Sequence, residues 1–97
     1  MLIKTKDGIY SHHNSLGLEF KVLNGTDGVV YLLDHVDERE IFRVKPKGVT
    51  NQQINLHLAT FEAFKLAVMD LVIKQANHHQ VFDLDELWQH EILIQNK

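Results

Sequence analysis

Residues 60–77 read as a helix with two dry sides, and this constrains the fold more than any other feature of the chain. At about 100° per residue, Phe61, Phe64, Val68, Leu71 and Val72 gather on one broad apolar face. Leu66, Met69 and Ile73, spaced i, i+3, i+7, form a second stripe almost opposite, with Glu62 at its N-terminal end and Lys65 and Asp70 beside it. A helix lying on a sheet needs only one apolar stripe. A second stripe needs a second cover, either another part of the chain or another copy of it. Thr60 is placed to cap this helix through its hydroxyl, and Asn77-His78-His79 closes it.

The first half of the chain has the period of strands. Leu2 to Thr5 is a short strand closed by the turn-favouring Asp7-Gly8, and Ile9-Tyr10 begins the return. Residues 11–17 are mostly polar and read as a loop. Leu18, Phe20 and Val22 alternate with Glu19 and Lys21. Residues 24–28 contain two glycines able to take positive φ and make a hairpin loop. Val29 to Leu33 is apolar without alternation, as expected of a central strand covered on both faces. A charged loop over 34–39 leads to a strand at 41–45, with Phe42 and Val44 inward and Arg43 and Lys45 outward. Pro46-Lys47-Gly48 ends that strand. The alternation of Ile54-Asn55-Leu56-His57-Leu58 predicts one further strand.

Near the C-terminus, Asp83 and Glu86 have the spacing of a capping box, and Leu84, Leu87 and Trp88 follow at helical intervals. A short helix over 84–90 results, while Ile92-Leu93-Ile94 suits either helix or strand. With strands gathered first and helices last, the expected class is α+β. It is an antiparallel β-meander of four to six strands carrying one long helix and a short C-terminal helix. Ninety-seven residues make a single domain over 1–97.

Composition narrows the function classes. A hydrophobic fraction of 44% with 24% charged residues suits a folded globular chain rather than a disordered one. The absence of cysteine removes disulfides, thiolate metal sites and cysteine nucleophiles, and fits a reducing cytosol. Lys4, Lys6 and Asp7 follow Met1-Leu2-Ile3 at once, leaving no apolar core for a secretory signal. No run approaches the roughly 20 apolar residues of a membrane span. The chain is therefore expected to be cytoplasmic, without membrane contact. A net charge of −3 gives no general attraction to nucleic acid.

Candidate sites are few. His12, Asp34 and His35, with His13, Asp37 and Glu38 nearby, combine imidazole and carboxylate as zinc, nickel or iron sites do. No HExxH or His-x3-His spacing fixes them on one face, and solvated polar loops are the far simpler explanation. Arg39, Arg43, Lys45 and Lys47 form a basic run, and the last three would share one strand face able to follow a phosphate backbone. Acidic neighbours and the lack of interleaved aromatics weigh against nucleic acid. His57 stands with Asn55 on an outward strand face, where a nearby carboxylate would make it an acid or base. Neither serine lies in a GxSxG elbow, and no glycine-rich phosphate loop is present. No cofactor is implied.

Two covers compete for the second stripe. In one, the C-terminal segment folds back over it with Leu84, Leu87, Trp88 and Ile92. In the other, two copies pair about a two-fold axis. Because both can hold together, Leu66, Met69, Ile73, Leu87 and Trp88 are the expected interface residues of a homodimer. The leading expectation is a non-enzymatic interaction or regulatory domain working through an apolar helix surface. The alternative is a domain that binds a small ligand or metal in a cavity between sheet and helix, for which a pocket holding His57 would speak.

Overall fold

The computed structural model describes residues 2–11, 17–33, 37–74 and 81–95. Strands β1 (Leu2–Thr5) and β2 (Gly8–Ser11) form a tight hairpin, with Thr5 opposite Gly8. The Thr5 hydroxyl steadies its turn by accepting from the Asp7 amide at 3.2 Å. Three longer strands follow: β3 (Gly17–Leu23), β4 (Asp27–Leu33) and β5 (Glu38–Val44). They are an antiparallel meander with β4 at the centre. Asn24 and Gly25 both take positive φ, 56° and 74°, as the primed hairpin turns require. The Thr26 amide closes that turn on the Leu23 carbonyl at 3.1 Å.

Val29 and Val30 are wholly buried, so the start of β4 is covered on both faces, as its unalternating sequence predicts. Gly28 belongs to β4 rather than to the loop before it, between Val22 and Val44. A Cβ there would overlap the ring of Phe61, so this glycine opens a slot in the sheet for an aromatic side chain.

The register of β5 shifts by one residue between Val30 and Tyr31: Phe42 faces Val30, whereas Glu40 faces Tyr31. Ile41 is the extra residue of this bulge. Both Ile41 and Phe42 are buried as a result. Beyond the bulge the faces exchange, and Glu38 and Arg39 continue the strand where the charge pattern predicts loop.

Helix α1 (Asn51–Lys74) begins ten residues earlier than the Thr60 cap implies and absorbs the strand expected at 54–58. Its cap is Thr50. The Thr50 hydroxyl accepts from the Gln53 amide at 3.2 Å, while the Gln53 side-chain carbonyl accepts from the Thr50 amide at 3.2 Å. This reciprocal pair is a capping box. Thr60 lies mid-helix and donates to the Leu56 carbonyl at 2.7 Å, so its hydroxyl needs no role at a helix end. The buried side of α1 carries Phe61, Phe64 and Val68. Phe64 meets Phe20 and Phe42 of the meander, with ring centroids 6.0 and 5.6 Å away.

After α1, strand β6 (Val81–Asp83) pairs parallel with β1, making a second sheet in the order β2-β1-β6. Helix α2 (Leu84–Gln95) follows directly, capped by Asp83, whose carboxylate accepts from the Glu86 amide at 3.2 Å. It runs through Ile92-Leu93-Ile94, settling that segment as helix. The class is α+β, with one long helix and one short one. Ile3, Val30, Ile41, Phe42, Phe61, Phe64, Val68, Leu84 and Trp88 make one core to which both sheets and both helices contribute.

Candidate functional site

The second apolar stripe of α1 faces outward. Leu66 is 62% exposed and Ile73 76%, while Met69 is half-buried. Helix α2 packs elsewhere. Trp88 is buried, edge-on to Phe64 at 5.5 Å and to Phe61 at 6.3 Å, on the core side of α1. Leu87 is half-buried against the same core. The five expected interface residues are thus divided: Leu66 and Ile73 lie open, and Trp88 is an internal anchor. The C-terminal helix does not supply the cover for Leu66 and Ile73 that an αα-hairpin would give.

Where β5, α1 and α2 converge there is a groove of about 230 Å³. Residues 45–48 leave the sheet and turn into α1, contributing Lys45, Lys47 and Gly48 to one wall. Gly48 lies directly against the Gln53 side chain held in the capping box, which a Cβ at this position would displace. The first turns of α1 supply Gln53, Leu56 and His57, and α2 supplies Trp88 and Ile92.

His57 is the residue most changed by its true setting. It sits on the helix, one and two turns before Phe61 and Phe64, and its ring meets Trp88 edge-on at 5.7 Å. Its Nε2 is buried and has no hydrogen-bond partner. Burial pushes the imidazole below its ordinary value, against the carbonyls of Thr26 and Val44 and the charge of Asp27, which favour the protonated ring. Its seat against an aromatic ring is hidden when Asn55 and His57 are read as strand neighbours. The signal that could have found it is the spacing His57, Phe61, Phe64, Val68, which runs i, i+4, i+7, i+11.

The basic run is broken up. Arg39 pairs across the sheet with Leu32 and Arg43 with Val29, which places them on opposite faces. Arg43 is bound to Glu40 at 2.8 Å and to Asp27 at 3.2 Å. The strand ends at Val44, so Lys45 and Lys47 do not continue an Arg43 stripe but turn to the groove. On the outer face of the meander, Lys21 bridges Glu38 at 3.2 Å and Glu19 at 3.4 Å, and lies 5.0 Å from the Tyr31 ring centre. The hydrogen bond to Glu38 holds its ammonium above the ordinary lysine value.

Lys4, Lys6, Lys65 and Lys74 are likewise beside carboxylates. Among the described residues, the cations without a carboxylate partner are Arg39, Lys45 and Lys47. His12, Asp34 and His35 lie outside the described residues. Among those described, no group of three His, Cys, Asp or Glu is placed to hold a metal ion. Nor is any helix among them long and apolar enough to cross a membrane. No protein family, curated protein or solved structure matches the chain.

Proposed function

We propose that this is a non-enzymatic interaction domain of the cytoplasm that works through the outward stripe of α1, with a second copy of the chain as its first partner. The observation that carries this is the exposure of Leu66 and Ile73, at 62% and 76%, two turns apart on a helix whose opposite side is already satisfied by the core. Large apolar side chains aligned on one helix face favour burial in a contact. A two-fold pairing lets the stripe cover itself, since the same residues meet on both sides. A contact built on one helix stripe is a small one, so association is expected to be weak and reversible. Sedimentation equilibrium over about 1–100 µM tests this. A reversible dimer is expected, and Leu66→Glu with Ile73→Glu is expected to be monomeric with an unchanged circular dichroism spectrum. A strictly monomeric wild type would overturn it.

A second reading, binding of a small ligand, is favoured by a different observation. The groove beside His57 is a concavity between the end of β5, α1 and α2, lined by apolar Leu56, Trp88 and Ile92 together with polar Lys45, Lys47 and Gln53. Ligand sites commonly have that construction.

A further inference from the structure

We infer that the groove between the end of β5, α1 and α2 receives a small amphipathic acid, its anionic head at Lys45 and Lys47 and its apolar body on Leu56, Trp88 and Ile92. This rests on the small-ligand reading and gives it a chemical class.

Charge is the first argument. The chain is acidic overall, and the other described lysines sit next to carboxylates. Neither Lys45 nor Lys47 makes such an ion pair, although they stand only two residues apart and Lys45 also borders a second hollow lined by Asp7 and Asp85. No carboxylate lines the groove, and the first turn of α1 carries none. Two lysines lining one groove with no carboxylate among its lining residues give it a positive potential, which a bound anion would meet favourably. Exposed lysines keep this attraction weak and dependent on salt.

The apolar lining is the second argument. Leu56 is 44% exposed although it sits beside buried Trp88 in the same concavity. An apolar body laid there would take Leu56 out of water, a gain that a bare inorganic anion cannot make. At about 230 Å³ the groove is below the usual span for drug-sized ligands, which points to a single ring or a short branched chain. On the wall, the Gln53 side chain is oriented by its hydrogen bonds to the Thr50 amide and hydroxyl.

The chain's single tryptophan lies in the groove, so its fluorescence reports occupancy directly. Three probes of nearly equal shape separate the claims: 4-phenylbutyrate, 4-phenylbutanol and 4-phenylbutylamine. Titration of the intact protein at low ionic strength is expected to give binding of the acid, with the amine weaker by about tenfold or more. Lys45→Glu with Lys47→Glu, both exposed positions, is expected to reverse that order. Equal binding of all three probes, or an unchanged order in the double variant, would overturn the anionic class and leave the ligand reading standing. No change in Trp88 emission with any probe up to about 10 mM would overturn both, since weaker affinity than that carries no specific recognition.

Discussion

Gly28 shows how far one residue without a side chain can shape this core. Phe61 enters the sheet at the space a Cβ would occupy, and Phe61 is itself buried with no room to withdraw. Gly28→Ala is therefore expected to destabilise by about 1–3 kcal/mol, the usual cost of overpacking, despite the better strand propensity of alanine. Urea denaturation followed by circular dichroism measures it, and an unchanged midpoint would contradict the packing described. His57 gives a second residue-scale expectation. Its native value lies below the ordinary 6.5 because burial opposes the charged ring. The unfolded chain thus takes up this proton first as pH falls. The stability tied to neutral His57 is complete above about 6.5 and declines as the solution is acidified toward the native value. Between pH of about 7.5 and 5.5, the wild type should lose more stability than His57→Phe. Equal losses in the two proteins would remove His57 from the acid response. The sequence names His57 as a polar candidate but cannot show that Trp88, thirty-one residues later, sits against it. The Lys45 and Lys47 pair is visible in the basic run, whereas its separation from Arg43 depends on where β5 ends.

At the scale of elements, local pattern and local hydrogen bonding together explain what was legible. The β1–β2 hairpin, the alternation in β3, the buried start of β4 and the Asp83 cap of α2 all follow from contacts within a few residues. Residues 54–58 misled because two periods fit them. Ile54, Leu56 and Leu58 alternate as in a strand, yet Ile54, Leu58 and Phe61 also fall at i, i+4, i+7. The Thr50–Gln53 capping box decides between the two, and its signature is present in the sequence. Strand β6 and the bulge at Ile41 were not legible. A three-residue strand pairing in parallel with the start of the chain leaves no local mark, and one extra residue in β5 exchanges faces without altering composition. If Thr50 is the true cap, Thr50→Ala should cost about 1 kcal/mol by leaving first-turn amides unsatisfied. Thr50→Ser should restore most of it, because the serine hydroxyl can accept the same bond. Thermal unfolding of the three proteins compares them, and a harmless Thr50→Ala would return the helix start to a later residue.

For the whole molecule, the question is whether two three-stranded sheets behave as one folding unit. Among the described residues they share no ladder, and the core joins them. Phe64 stands at that junction: wholly buried on α1, it touches Phe20 and Phe42 of the meander on one side and Trp88 of α2 on the other. Helix α2 in turn adjoins β6, whose partner β1 anchors the hairpin, and Leu84 and Ile3 extend the same core to that sheet. Each sheet has only three strands, the smallest number that persists with one apolar face, and each lays that face on the shared core. Phe64→Ala should therefore cost about 3–5 kcal/mol, a large part of the stability of a domain this size. Its effect should also reach both sheets together. Trp88 fluorescence reports the α1–α2 junction and far-ultraviolet circular dichroism reports the backbone as a whole. In urea the two signals should trace one transition in the wild type and one transition, at lower denaturant, in the variant. A variant in which Trp88 becomes solvated while most of the strand signal survives would show that the meander holds by itself. Phe64 would then be a contact between two units rather than the centre of one.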